Sequence, residues 1–224
     1  MCTSKELHGR LSSFNSRTSR FNAWFFDFID NYSNHVAHIH KRNAFEGLRS
    51  GTIVELGAGT GANFRYLPAG SRLIAVEPSI AMHARLQHNA MERNINLELL
   101  ASSGEHIPLA DDSVDEVIAT LVLCTVADPD QVLAEVRRIL RPGGTFRFVE
   151  HVAAHPASPR RWMQQLLARP WAWLFEGCDT QRDTAKTIAS AGFSKVTLER
   201  KRFRHSLFFP VNSAIWGVAT NGAS

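Results

Sequence analysis

The sequence predicts an α/β protein built on a parallel, doubly wound sheet. Three observations carry this. The run Thr52–Leu56 is rich in β-branched and apolar residues and enters a glycine-rich turn. From there, strand-like and helix-like segments alternate through His151. Within that alternation, Val132, Leu133, Val136, Ile139 and Leu140 share one helical face, and Arg141-Pro142-Gly143-Gly144 ends the run. Strands that alternate with helices pair in parallel, because each helix must cross back over the sheet.

Each element follows in order. Residues 1–20 are rich in Ser, Arg and Asn and read as an arm or a loosely held helix. Phe21, Trp24, Phe25 and Phe28 recur at i, i+3, i+4, i+7, which predicts a helix over 21–47, packed on the core or laid over a cleft as a lid. Strand one is Thr52–Leu56. A helix is expected to start at Ala62–Leu67 and to break near Pro68 and Gly70. Arg72–Val76 is strand two, and Ser79–Asn94 a helix with apolar Ile80, Met82, Ala84 and Leu86. Leu97–Leu100 and Ser113–Leu121 are strands three and four, Pro129–Leu140 a helix, and Thr145–His151 strand five. Residues 153–180 interrupt the rhythm with Pro156, Pro159, Pro170, Trp162, Trp171 and Trp173, and read as an insertion with helical turns. Thr180–Ala191 is a helix stopped by Gly192, and Ser194–Arg204 and Leu207–Thr220 are closing strands. The expected division is an N-terminal arm and helical lid, 1–47, and a second domain, 48–224.

Composition narrows the class. The chain has 224 residues, 44% apolar and 21% charged, enough to bury a core without covalent staples. A net charge of +4 comes from basic residues scattered among acids, so no nucleic-acid partner is expected. The three cysteines, Cys2, Cys124 and Cys178, are far apart with no CxxC pair, which argues against a disulfide framework or a zinc site and suits a reducing compartment. No secretory signal and no apolar run of about 18 residues is visible, so integral membrane association is not expected and a cytoplasmic location is. A monomer or a homodimer is expected.

The most informative segment is Ile53-Val54-Glu55-Leu56-Gly57-Ala58-Gly59-Thr60-Gly61. A strand ends in glycines able to adopt positive φ and to let a ligand approach the backbone. The spacing is GxGxG, so the dinucleotide pyrophosphate seat of GxGxxG is disfavoured, and no Gly-Lys-Ser/Thr phosphate loop is present. Glu55 lies within the strand, where a carboxylate suits a cationic amine. Strand two ends at Val76-Glu77-Pro78, and an acid there typically accepts ribose hydroxyls, or else simply caps a helix start.

Taken together, ELGAGTG, AVEP, SSGEHIPLADDSVDEVIA and LRPGG are similar to the successive motifs of class I S-adenosylmethionine-dependent methyltransferases, in order over residues 52–151. The resemblance implies a Rossmann-like, seven-stranded sheet with the last strand antiparallel. It implies S-adenosylmethionine as cofactor, with S-adenosylhomocysteine as product. Glu55 and the turn Gly57, Ala58, Gly59 and Gly61 would hold the methionine end, Glu77 the ribose, and Ser103, Gly104 and Glu105 would border the adenine; Pro78 and Leu121 join the cofactor-binding set. Thr120–Val126, Glu150–Ala154 and Trp173–Cys178 look like the thiol S-methyltransferases of the methyltransferase-like family, which methylate small alkyl thiols. Those relatives carry an N-terminal membrane anchor, and none is expected here.

The chemistry is an in-line displacement in which alignment supplies much of the rate. A thiol with a pKa near about 8.5 is partly ionised already, so a base is optional. His151, at the end of strand five, is the candidate base, with a structural histidine as the alternative. Cys124 and Cys178 read as packing residues, with Cys124 lining the cleft. His35, His38 and His40 do not share a helix face and read as surface or lid residues, so no metal is expected. Asp179 and Arg182 suit either substrate orientation or a helix cap and a surface cation. Phe21, Trp24 and Phe25, with Trp162, Trp171, Trp173 and Phe175, are expected to wall an apolar chamber for a small-molecule substrate. The leading function is methyl transfer to a thiol. Transfer to oxygen, nitrogen or carbon, a cofactor-binding regulatory subunit and an NAD-linked oxidoreductase are the alternatives.

Overall fold

Seven strands form one sheet in the order β3-β2-β1-β4-β5-β7-β6. They are β1 (Thr52–Leu56), β2 (Arg72–Val76), β3 (Asn96–Leu100), β4 (Val114–Thr120), β5 (Leu140–His151), β6 (Lys195–Arg202) and β7 (Ser213–Thr220). The structure is a computed structural model that describes residues 37–174, 177–203 and 212–222. The expected arm 1–20, the aromatic stretch Phe21–Phe28, His35 and Phe175 lie outside the described residues. Strands β1 to β5 pair in parallel, and β7 runs antiparallel to both β5 and β6. This is the Rossmann-like architecture expected, with β7 inserted between β5 and β6.

Helices cover both faces. Residues 37–45 form α1. Then come α2 (Ile80–Glu92), α3 (Pro129–Ile139), α4 (Pro159–Leu174) and α5 (Thr184–Ser190). Alternate residues of each central strand point to opposite faces. Val54, Val117, Phe146 and Phe148 therefore pack with Val132, Leu133 and Val136 of α3 and Ile188 of α5. Ile53, Leu73, Ile118 and Val149 pack with Ala44 and Phe45 of α1 and with Leu86 and Ala90 of α2.

A buried charge cluster fastens α1 to the sheet. Glu116 on β4 is fully buried and pairs with Arg147 on β5 at 3.2 Å and with Arg49 at 2.7 Å. Arg147 also donates to the carbonyls of Ala44, Glu46 and Gly47 at the end of α1. Those are the carbonyls that a helix leaves unsatisfied at its C-terminus.

Three local expectations differ from the structure. The helix expected from Ala62 is a 3-10 turn, Phe64–Tyr66. Gly61 adopts φ +92°, the Phe64 ring packs where a Gly61 side chain would stand, and Pro68 blocks extension. The helix expected from Thr180 begins at Thr184, with Asp183 Oδ1 accepting from the Lys186 N–H at 3.3 Å, because residues 177–182 are tied elsewhere. Strand five starts at Leu140, through an irregular register between Val114 and Glu116 that absorbs Arg141–Gly144.

Candidate active site

Parallel strands bring their carboxyl ends to one edge of the sheet, and ligands settle there where the strand order reverses. Here that point lies between β1 and β4. The turns leaving β1, β2, β4 and β5 carry most of the residues singled out in the sequence.

Glu55 is buried at the end of β1, where Asn63 Nδ2 donates to its Oε1 at 2.8 Å and to Thr120 Oγ1 at 3.0 Å. The other end of that amide, Asn63 Oδ1, is buried without a hydrogen-bond partner. A buried acceptor of this kind, beside a carboxylate, suits a cationic amine. Gly57 and Gly59 sit at φ +57° and +56°. A Cβ on Gly57 would come within 2.7 Å of Val122 Cγ2, so the turn after β4 closes directly over this glycine. Gly59 faces open space instead, with nothing within 4 Å of such a Cβ. Ala58 lies buried in the core between them and offers its backbone.

Glu77 is buried at the end of β2. Its Oε2 accepts from the Gly59 N–H and its Oε1 from the Ser79 N–H, both at 2.8 Å. Burial pushes its pKa up, and the two N–H donors oppose that rise. A carboxylate has about four lone-pair sites, so two remain for vicinal hydroxyls of a ribose. Pro78, half-buried, links Glu77 to Ser79, the N-cap of α2. The glycine cradle, Asn63 Oδ1 and Glu77 thus fit the amine and the ribose of S-adenosylmethionine.

Ser103 and Gly104 lie in the turn after β3, where Gly104 is buried against Val132 of α3. Glu105 follows in the same turn. Its Oε1 accepts from the N–H groups of Ala127 and Asp128, holding the start of α3.

Leu121 leaves β4 at φ +60°, its N–H donating to the Val149 carbonyl at 2.8 Å. The turn that follows is held by Glu150, whose Oε1 accepts from Val122 and Leu123 at 3.0 and 3.1 Å. Burial pushes the Glu150 pKa up to about 8. Its Oε2 is buried without a hydrogen-bond partner. Arg182 fastens the same turn from the other side, donating to the carbonyls of Leu123 and Val126 at 2.6 and 2.9 Å. It is a structural tie, and Asp179 accepts from the Gln181 N–H within its own loop.

Cys124 stands in this turn, its sulfur 3.4 Å from that of Cys178. His151, half-buried at the end of β5, joins them, with ligand-capable atoms of all three side chains within 4.8 Å of one another. The His151 ring packs edge-on against Phe203, which also meets His40. Trp162 and Trp173, on α4, are 65% and 73% exposed and wall no enclosed chamber among the described residues. Asn63, Glu150 and Cys178 carry more of the geometry than their sequence context suggests. Only the asparagine two residues after Gly61 had a positional cue.

A methyltransferase domain model matches residues 54–148. Human thiol S-methyltransferase TMT1A is 40% identical over 151 residues, covering 66% of this chain and 62% of that protein, so the chain spans under two thirds of its length. Human thiol S-methyltransferase TMT1B is 38% identical over 179 residues, covering 75% and 73%. In fold, a Haloferax volcanii putative methyltransferase solved with its Trm112 activator superposes with a TM-score of 0.67 at 21% identity, covering 91% of this chain and 98% of that one. With that likeness over the strands and turns that build the cradle, the chain belongs to the same methyltransferase family as the thiol S-methyltransferases TMT1A and TMT1B.

Proposed function

We propose that this protein transfers a methyl group from S-adenosylmethionine to the sulfur of a small thiol. The observation that supports it most is the joined cradle in which Gly59 donates to the buried Glu77 carboxylate beside an open approach. Bound there, S-adenosylmethionine supplies a methyl group activated on a sulfonium. The chain's own residues bind and orient. Glu55 and Asn63 receive the amine, Glu77 the ribose hydroxyls, and the backbone of Gly57–Gly61 the space between. Ser103 and Gly104 flank the adenine.

The thiol is the acceptor in this reading because the relatives at about 40% identity, TMT1A and TMT1B, are thiol S-methyltransferases. A thiol also ionises near neutrality, so holding it in line and dry is most of the task. His151 favours the ionised sulfur. No helix among the described residues is long and apolar enough to cross a membrane.

Calorimetric titration with S-adenosylmethionine, followed by a turnover panel of small thiols, phenols and amines, tests the proposal. Saturable one-site binding and methylation confined to thiols are expected. Turnover of phenols or amines with none of any thiol would overturn the acceptor, and absence of cofactor binding would overturn the whole reading.

A further inference from the structure

We propose that Cys124, Cys178 and His151 form a three-residue zinc site whose fourth position is taken by the acceptor's sulfur as a thiolate. The inference rests on the thiol reading above and gives it a mechanism. It runs against the sequence spacing, which separates the two cysteines by 54 positions, because tertiary structure brings them together.

Three elements deliver the ligands. Cys124 comes from the turn after β4, His151 from the end of β5 and Cys178 from the loop after α4. Each position is fixed by backbone contacts. The Asp179 N–H donates to the Cys124 carbonyl at 2.8 Å, which holds the two cysteine loops face to face. Thr184 Oγ1 donates to the His151 carbonyl at 3.3 Å, and the Val152 N–H donates to the Ser213 carbonyl at 3.0 Å. Both cysteines are buried, and both are free thiols.

The spacing suits zinc. With Zn–S near 2.3 Å and Zn–N near 2.0 Å, tetrahedral ligand atoms lie about 3.5–3.8 Å apart. The two sulfurs are 3.4 Å apart and all three ligand atoms fall within 4.8 Å. Two thiolates and an imidazole form a soft set that selects zinc over harder cations. His151 Nδ1 is buried without a hydrogen-bond partner, an orphan that a metal would satisfy.

Three protein ligands leave one coordination position open, the arrangement of catalytic rather than structural zinc. Zinc binding releases the cysteine protons to solvent. An acceptor thiol then replaces a water in the open position and loses its own proton to solvent. In the transfer, a sulfur lone pair forms the new S–C bond. The pair of the broken C–S bond stays on the donor's sulfur, and the thioether product, a weaker ligand, leaves. His151 acts through the metal here, not as a base.

The test uses the reduced full chain and Co²⁺ as a spectroscopic stand-in, with Zn²⁺ as competitor. One Co²⁺ per chain is expected, with thiolate charge-transfer absorption that Zn²⁺ displaces and that shifts on adding a small thiol. Cys178→Ser and His151→Ala are each expected to weaken binding by at least about 100-fold, beyond what outer-shell changes cost, while S-adenosylmethionine titration confirms that they fold. A reduced wild type that binds cofactor and methylates thiols, yet takes up no metal, would overturn the site and leave the thiol reading standing. A Cys124–Cys178 disulfide in the purified chain, with no metal uptake after reduction, overturns it equally. Metal binding with a spectrum insensitive to thiols overturns the acceptor's place on the zinc.

Discussion

The Gly59 N–H donates to Glu77 Oε2 at 2.8 Å, so the turn after β1 and the carboxylate after β2 form one unit. A change in either is therefore felt by the other. Removing the carboxylate leaves the Gly59 and Ser79 N–H groups without their charged acceptor and removes the proposed ribose partner. Glu77→Ala is expected to weaken S-adenosylmethionine binding by about 1.5–3 kcal/mol per lost charged hydrogen bond, roughly ten- to a hundredfold or more in Kd by calorimetry. Unchanged affinity would remove Glu77 from the site.

The same carboxylate sets a pH dependence. Burial raises the Glu77 pKa in the folded protein above its ordinary value. For an acid with a raised folded pKa, the stability contribution is fully present below the ordinary value and is lost as pH rises through the folded one. Cofactor binding has the opposite sense in the proposed reading, in which the ionised form accepts the ribose hydroxyls. Affinity should thus fall on acidification at a pH above the ordinary carboxylate range, and Glu77→Gln should flatten that profile. Calorimetry across mildly acidic to neutral pH measures it.

The two glycines of the turn should respond differently to alanine. At Gly57 the new methyl would meet Val122 at 2.7 Å, on a backbone at φ +57°. Stability is expected to fall by more than the ~1–2 kcal/mol of the left-handed backbone alone, as the turn after β4 is displaced. At Gly59 the methyl enters open space. There only the backbone cost is expected, together with loss of cofactor affinity. Denaturant midpoints and cofactor titration on both variants separate the cases.

Arg147 supports the fold on the side of the sheet covered by α1. Arg147→Met leaves fully buried Glu116 with Arg49 and Thr145, and strips the carbonyls of Ala44, Glu46 and Gly47 of a donor. Glu116 keeps Arg49, so a loss of about 1–3 kcal/mol is expected, from the carbonyls left without a donor. Urea unfolding reads it, and a change below about 1 kcal/mol would mean that the cluster contributes little.

Arg182→Met removes the donor to the carbonyls of Leu123 and Val126 and loosens the turn that carries Cys124. Methyl transfer should slow while S-adenosylmethionine affinity changes little, because Glu77 and the Gly57–Gly61 turn are held by other contacts. Equal losses in both would place Arg182 in cofactor binding.

Much of this was legible in the sequence, and for local reasons. The β-branched run Thr52–Leu56, the GxGxG turn and the apolar face of α3 depend on backbone geometry within a few residues, which residue type controls directly. Those features set the strands, the helix faces and the place of Glu55 and Glu77. Tertiary pairing decided the rest. Thr120 pairs with Val149 across β4 and β5, which brings the turn bearing Cys124 beside His151. The loop tied down by Asp179 and Arg182 then adds Cys178. No periodicity links residues 27 and 54 positions apart; parallel strands gather them at one edge because every crossover returns the chain to the same side.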